Sequence, residues 1–427
     1  MVIEKTSESF DNWRQYISSG IISPFFQPIL SIEKKTIFGY ESLGRISHAN
    51  EIASLGEFFT AVDNSLDKKN FQYTNEFIDL QRKVDRKLRR VSLQKIAQDN
   101  NQNSKLFLNF SPSLMMAHLQ NRDENGELPI TFTIQIVKEL GINPERIVIE
   151  ITEDYIHKNI DHLRPLIEMY KDFGFLIAID DLGSNSSNLD RIGIFEPDII
   201  KVDMQMLRKS LLDRSYKEIL YTISNLSESL GISLLFEGIE RIDELNQALS
   251  FGARYVQGFL FSRATENLLE LNSFKNDLDY LIHNFHKIKL EQIKQKVEWE
   301  WDMEKKIQST LFELEFLDNG EIKHYEEIFK IDSNIVKFYA TDVYGNQISP
   351  NYTIGTDNKI CIEYENRFTS NWSWRPYFLN HLLESYKYQD KWIISQPYND
   401  IEKNNLLRTF SKTFQNNLIL FIDIKFE

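Results

Sequence analysis

The sequence predicts a (β/α)8 barrel, followed by a helical connector and an α+β domain. Three observations predict this. Short apolar runs of strand length alternate with amphipathic helical stretches from residue 105 to residue 259, the pattern of βα units on a mainly parallel sheet. Eight such runs fall within roughly 240 residues, which suits a closed barrel better than an open sheet. A polar residue recurs at the end of one run after another, at Glu41, Asn109, Glu150, Asp180, Asp181, Lys201, Glu237 and Gln257. In a barrel those ends converge on one face, where the βα loops build active sites.

The elements follow in order. Residues 1–20 read as a short amphipathic helix, with Phe10, Trp13 and Ile17 at helical spacing. Residues 25–32 read as the first strand, and Pro28 within them predicts an edge or irregular strand, because proline cannot donate to a ladder. Residues 36–46 are a second strand, carrying Glu41, Leu43 and Arg45. Residues 55–98 are helical, with apolar residues every three to four positions. The basic run at 82–90 alternates there with acids and reads as a solvated helix face. The remaining strands are expected at 105–110, 146–152, 176–181, 199–202, 233–237 and 254–259, with helices at 160–173, 206–230 and 241–250. Next, Phe274, Leu278, Leu281, Phe285 and Ile288 form a short heptad-like seam. It opens a charged helix reaching about residue 308, fit to pack on the barrel, join domains or dimerise. Beyond 310 the chain changes to short β-rich pieces, LFELEFL, IVKFYATDVYGNQIS, ICIEYEN, KWIISQPY and NLILFIDIKF, punctuated by turn signals at 318–320 and 345–346. The expected domains are 1–270, 271–309 and 310–427.

Composition narrows the function. A length of 427 residues predicts two or more domains. A net charge of -14 supplies no basic surface for a phosphate backbone, so no nucleic-acid polymer is expected as main ligand. The single cysteine, Cys361, excludes an internal disulfide framework and fits a reducing compartment. No apolar leader segment opens the sequence, and no run approaches the length of a membrane span, so the expected location is cytoplasmic.

Asp180 and Asp181, adjacent at the end of an apolar run, are costly side by side unless a positive group sits between them. Asp180 with Glu41, Glu150 and Asn109 makes an all-oxygen donor set, which favours Mg²⁺ or Mn²⁺ over zinc. Asp181 and Glu237 complete a second site with Asp180 bridging. Two ions about 3.5–4 Å apart suit in-line displacement at phosphorus. Lys201 beside them would orient or deprotonate the attacking water. Each residue also has a structural reading: Asn109 bonding a turn, Glu150 a satisfied buried acid, Asp180–Asp181 a helix cap, Lys201 a salt-bridge partner. Their repetition at successive strand ends favours a site.

The residues at this point resemble a known family. Gly39-Tyr40-Glu41-Ser42-Leu43-Gly44-Arg45 resembles the signature of EAL domains, which are cyclic-di-GMP phosphodiesterases. The match continues through Asn109-Phe110-Ser111, Glu150 to Glu153, Asp180-Asp181, Lys201 to Asp203, Glu237 to Glu240 and Gln257-Gly258-Phe259. The resemblance implies a TIM-like barrel that hydrolyses cyclic di-GMP to linear pGpG with two Mg²⁺ or Mn²⁺ ions per active site. It implies that Glu41, Asn109, Glu150, Asp180, Asp181 and Glu237 hold the metals and that Lys201 contacts the water. It implies substrate contacts from Gln27, Leu43, Arg45, Asn109, Asp180, Glu240, Gln257 and Gly258, and a loop anchor in Glu153. It also implies a homodimer. Three departures stand out: Ser42 replaces the signature's alanine, Asn185 and Ser186 replace a glycine and a tyrosine in the loop after the aspartates, and Ala264 replaces a proline. The altered 182–187 loop motivates an alternative, a catalytically weak or inactive protein that binds cyclic di-GMP as a sensor. A third reading is a scaffold that binds no nucleotide. The C-terminal region, with Asn371 to Phe378 and Ile394 to Asp400, resembles PAS-like or Cache sensor folds, so a regulatory role and an unknown small ligand are expected there. Arg375 among aromatics is its candidate contact, or else part of a packed structural cluster.

Overall fold

The computed structural model describes the backbone at residues 8–48, 51–59, 71–110, 114, 118–119, 128–182, 190–317, 319–355, 359–388, 390–400, 406–414 and 418–425. Side chains are described there except at 8–12, 71–75, 77, 152–162, 181, 182, 190 and 191. The chain divides into two compact units, Met1–Lys287 and Ile288–Glu427.

The first unit is an eight-stranded closed barrel. Its strands are β1 (Ile21–Ser31), β2 (Thr36–His48), β4 (Lys105–Phe110), β5 (Ile147–Thr152), β6 (Leu176–Leu182), β7 (Ile199–Val202), β8 (Ser233–Phe236) and β9 (Tyr255–Val256), while β3 (Glu51–Ser54) lies outside on β2. Neighbours from β2 through β4 to β9 run parallel, and β1 closes the ring antiparallel to both β2 and β9. Pro28 therefore sits in a closed barrel and not at an edge. Its missing N–H falls in the interval of the β1 ladder between the Phe26–Thr265 bridge and the Leu30–Val256 pair, where β9 makes no demand on it.

Parallel strands buried on both faces are continuously apolar, and these strands divide their residues between two cores. Outward residues such as Leu106, Ile149, Ile177, Ile200 and Phe236 meet Leu163, Leu166, Met206, Leu220 and Leu245 of the surrounding helices. Inward residues form a plug to which every barrel strand contributes: Ile29, Phe38, Phe107, Val148, Ala178 with Leu176, Ile199, Leu235 and Tyr255.

The helices differ from expectation in definite ways. The helix expected at 206–230 is two, Met204–Leu212 and Arg214–Leu230, because Asp213 is extended (φ -122°, ψ 123°) and its carboxylate caps Ser215. The helix after β5 starts earlier, spanning Glu153–Asp172. Of the helical region expected at 55–98, the structure gives residues 56–59 and Phe71–Ala97, and residues 60–70 lie outside the described residues. The basic run is a solvated face as expected at Lys83, Arg86 and Lys87, and Arg89, 4% exposed, is the exception within it.

The connector is a helix, Lys275–Leu311. In its first turns Leu278 is buried against the barrel's outer core, with Phe274 and Leu281 beside it, while Ile288 at the end of the seam is half exposed. Its last turns supply Met303, Ile307 and Leu311 to the core of the second unit.

The second unit is α+β, as expected of a PAS/Cache-like domain. Its main antiparallel sheet runs β14 (Ile360–Glu363), β13 (Asn351–Ile354), β12 (Ile335–Thr341), β18 (Leu418–Lys425), β17 (Leu406–Phe414), β15 (Ile393–Ile394), with β16 (Tyr398–Asn399) pairing on β17. Residues β10 (Glu315–Phe316) and β11 (Ile322–Lys323) form a hairpin. Strands β13 and β17 were not among the expected β-rich pieces. In β17 the buried residues include Arg408, Thr409 and Ser411, so burial there does not follow hydrophobicity.

Candidate active site

The site is the next inward layer above the apolar plug. Side chains alternate along a strand, so the residue two further on points the same way. Two positions after Phe107, Val148, Ala178, Ile199, Leu235 and Tyr255 stand Asn109, Glu150, Asp180, Lys201, Glu237 and Gln257. Because β1 runs the other way, its member is Gln27, two residues before Ile29. In β2 an extra residue, Phe38, interrupts the register with β1, so the inward polar residue is Glu41, three positions on. One geometric rule thus gathers eight polar side chains at the C-terminal mouth of the barrel.

Lys201 is the centre of this layer. It is 0% exposed, and its Nζ lies 2.6 Å from Glu150 Oε1, 3.0 Å from Asp180 Oδ1 and 3.1 Å from Glu237 Oε1. Glu41 is held separately: Asn109 Nδ2 donates to its Oε1 at 2.9 Å and Gln257 Nε2 to its Oε2 at 2.7 Å. Burial pulls the Lys201 ammonium toward neutrality, but Asp180, Glu150, Glu237 and Glu41 together hold its pKa well above the ordinary lysine value. Burial pushes Glu150 and Glu237 well above the carboxylate range, against the pull of Lys201, and the neighbouring acids push further.

One ammonium among four carboxylates leaves negative charge uncompensated. The contacts to Lys201 are at ion-pair distance. Lys201 Nζ, both carboxylate oxygens of Glu150, Glu237 Oε1 and Gln257 Oε1 are buried without a hydrogen-bond partner. Buried polar atoms are normally satisfied. The donors here are all oxygen, as hard divalent cations require, so in chemistry the set fits a hard divalent cation. Among the described residues, no three acidic, His or Cys side chains are gathered closely enough to enclose an ion by themselves; the carboxylates gather on Lys201 instead. Asp181 belongs to β6, and its side chain lies outside the described ones, as does that of Glu153 at the start of the following helix.

The other expected residues are distributed unevenly. Gln27 is buried and donates from Nε2 to the Ser262 carbonyl at 3.3 Å. Leu43 and Arg45 continue the inward face of β2 beyond Glu41. The guanidinium of Arg45 donates to the Gly44 carbonyl and lies 5.9 Å from the centre of the Phe25 ring. Glu240 is turned to another task, accepting from Arg208 Nη2 at 3.0 Å beside the Arg208–Glu244 pair. Gly258 is a packing position: a Cβ there would stand 2.0 Å from the Ile239 carbonyl oxygen. Ser42, at the signature's alanine, points out of the barrel, where its hydroxyl meets that of Ser92 at 2.7 Å. Residues 183–189, including Asn185 and Ser186, lie outside the described residues. In the second unit Arg375 lies 4.6 Å from the Trp374 ring and 5.9 Å from that of Trp372. Arg89 was missed as a neighbour of the site. Its signal was present in the sequence, since it stands one helical turn from Asp85.

Comparison with known proteins follows the same division. Residues 11–264 match the EAL domain family and residues 268–427 the EAL-domain associated signalling protein domain. The EAL-domain containing protein YkuI of Bacillus subtilis (strain 168) is 32% identical over 415 residues, which are 95% of this chain and 94% of that protein. The crystal structure of the Bacillus subtilis YkuI protein, in complex with substrate c-di-GMP and calcium, matches with a TM-score of 0.83 at 28% identity over 100% of both chains. The cyclic di-GMP phosphodiesterase RocR of Pseudomonas aeruginosa is 26% identical over 252 residues, covering 58% of this chain and 58% of that protein. Among the described residues no helix is long and apolar enough to cross a membrane.

Proposed function

The chain belongs to the EAL-domain family, and on that premise we propose that it hydrolyses one phosphodiester bond of cyclic di-GMP to give linear pGpG. The observation that carries this reading is the buried polar layer in which the three carboxylates of Glu150, Asp180 and Glu237 meet the one ammonium of Lys201, with Glu150 Oε2 left without a hydrogen bond beside it. Glu41, Asn109, Glu150, Asp180, Asp181 and Glu237 would hold two Mg²⁺ or Mn²⁺ ions. Such ions, when bound, lower the pKa of a water and neutralise phosphoryl oxygens.

The chain's own groups do the rest. Asn109 and Gln257 fix both oxygens of Glu41, so that carboxylate is pre-oriented before any ligand arrives. Lys201 offsets part of the negative charge that would otherwise repel a phosphodiester, and donates a hydrogen bond to the attacking water. The apolar plug beneath excludes bulk water from below. In the reaction the water oxygen bonds to phosphorus, the 3′-oxygen leaves, and a proton passes to it. Gln27, Leu43, Arg45, Gln257 and Gly258 line the mouth on which the nucleotide would lie. The second domain is assigned regulation through an unknown small ligand, the working form is a homodimer, and the location is the cytoplasm. The domains proposed remain 1–270, 271–309 and 310–427.

The test is chromatography of cyclic di-GMP incubated with purified protein and Mg²⁺ or Mn²⁺. Formation of pGpG, abolished in Glu41→Ala, is expected; its absence with both metals removes the reading. The sensor reading is favoured by one observation, the replacement of a glycine and a tyrosine by Asn185 and Ser186 in the loop after the aspartates. Micromolar binding by calorimetry without turnover would select it, and failure to bind would remove both.

A further inference from the structure

We propose that Arg89 is a positioning residue for this site, fixing the end of β4 so that Asn109 stands against Glu41. The inference deepens the reading above and rests on it.

Arg89 lies in the Phe71–Ala97 helix, outside the barrel wall, and is 4% exposed. Its guanidinium is used on every side. Nε donates to Asp85 Oδ2 at 2.7 Å, one helical turn back. Nη2 donates to the backbone carbonyl of Asn109 at 2.7 Å, and Nη1 to Thr133 Oγ1 at 3.4 Å. Its central carbon lies 4.0 Å from the centre of the Phe110 ring. One planar cation thus grips the backbone of Asn109 and the side chain of the next residue, a combination that a lysine's point charge cannot reproduce.

The place gripped is where the sheet stops helping. On one side β4 pairs with β5 through Asn109–Glu150 and Phe110–Ile151. On the other, pairing with β2 ends at Glu41–Phe107, two residues short of Asn109. The Asn109 carbonyl is beyond the β2 ladder, and Arg89 takes the position of the missing partner. From Asn109 the contacts continue inward, through Nδ2 to Glu41 Oε1 and from Glu41 Oε2 to Gln257. A continuous line therefore runs from Asp85 through Arg89, Asn109 and Glu41 to Gln257, joining an outer helix to the far wall of the mouth. A buried ion pair is poor evidence of stability in itself. The geometry here points to orientation of the donor set.

Arg89 also walls a cavity of about 230 Å³, together with Asp85, Phe110, Thr133 and Tyr170. A shorter side chain consequently has room without repacking, which makes substitution informative. The experiment uses the full chain as wild type, Arg89→Lys and Arg89→Met, with Asp85→Asn as a second route should Arg89→Met fail to fold. Mn²⁺ affinity is measured by calorimetry without substrate, and kcat and KM for cyclic di-GMP at a temperature where melting curves give fully folded protein. Loss of an outer partner of a metal-binding group characteristically weakens binding or activity by about 10–100-fold. That loss is expected in Mn²⁺ affinity and kcat for Arg89→Met, with KM nearly unchanged and a smaller loss for Arg89→Lys. A purely structural Arg89 would lower the melting temperature and leave Mn²⁺ affinity and kcat per folded molecule untouched, and that result overturns the proposal. Wild type that binds Mn²⁺ but makes no pGpG would remove the phosphodiesterase reading alone, the calorimetric comparison still deciding Arg89. Wild type that binds no Mn²⁺ overturns both.

Discussion

Lys201 occupies the position where a cation is most needed and is itself the cation. Deleting its charge while keeping its bulk, as Lys201→Met, strands Glu150 and Asp180 in a buried layer. Breaking a buried ion pair by removing one partner costs about 3–5 kcal/mol. A divalent ion can restore the balance, so added Mn²⁺ should raise the melting temperature of Lys201→Met more than that of wild type, while kcat falls by about 10²–10⁴-fold. Thermal scans in EDTA and in Mn²⁺ check this; equal metal-induced shifts in both proteins would contradict it. Glu41 makes a complementary case. Both its oxygens accept from amide donors. Glu41→Gln replaces one acceptor by an N–H₂ that must face a donor, leaving an unpaired buried group worth roughly 1–3 kcal/mol. Calorimetry should find Mn²⁺ bound more weakly by Glu41→Gln than by wild type, and unchanged affinity would mean that Glu41 does not belong to the donor set. Residue types were legible for this layer: carboxylates, an amide and a lysine at strand ends are visible in any reading of the chain. The pairing was not, because the two-residue step that turns each inward depends on where the apolar plug begins on each strand.

At the scale of the element, backbone approach decides. Gly258 follows β9 where the chain passes the backbone of Ile239. In Gly258→Ala the new methyl would press on a carbonyl that accepts the Leu260 N–H at 2.9 Å. Overpacking of this kind costs about 3 kcal/mol, and should appear as a lowered denaturant midpoint with an unchanged m-value. A midpoint equal to wild type would mean that the turn shifts freely. The parallel strands were legible for a physical reason. They are buried on both faces, so hydrophobicity, length and the flanking polar residue all agree for 105–110, 146–152 and 199–202. The direction of β1 was not legible, because nothing in a strand's own composition encodes whether its neighbours run with it or against it. Pro28 even pointed to an edge. The break at Asp213 was hidden by continuous helical periodicity on both sides, and β17 by its buried Arg408, Thr409 and Ser411. Arg89 was lost among the charges of a helix whose other arginines, Arg82, Arg86 and Arg90, keep more solvent exposure.

On the scale of the whole molecule, the two units have separate cores, one around the barrel and one drawing on Phe338, Phe410, Leu420 and Ile422. Different variables should therefore act on different cores. If the carboxylate-rich layer holds metal as proposed, the barrel should be the metal-sensitive unit, stabilised by about 2.7 kcal/mol at a metal concentration a hundred times the dissociation constant. The second unit carries a proton-sensitive residue. His381 is fully buried in the Pro376–Lys387 helix, with Nδ1 2.8 Å from Ser411 Oγ and Nε2 3.0 Å from Thr413 Oγ1, and burial lowers its pKa to about 4. A histidine whose folded pKa lies below its unfolded value of 6.5 binds more protons when unfolded between those two values. Its contribution to stability is therefore full above about pH 6.5 and falls as the pH drops toward 4, by up to about 3 kcal/mol at 1.36 kcal/mol per pKa unit. Scanning calorimetry at several pH values, with and without Mn²⁺, should resolve two transitions. One should move with metal, and the other should fall with acid and ignore the metal. His381→Gln should flatten the acid dependence of the second transition alone. A single transition responding equally to both variables would mean that the cores melt as one cooperative unit, and that the Lys275–Leu311 helix, which contributes Leu278 to one core and Met303, Ile307 and Leu311 to the other, couples their unfolding.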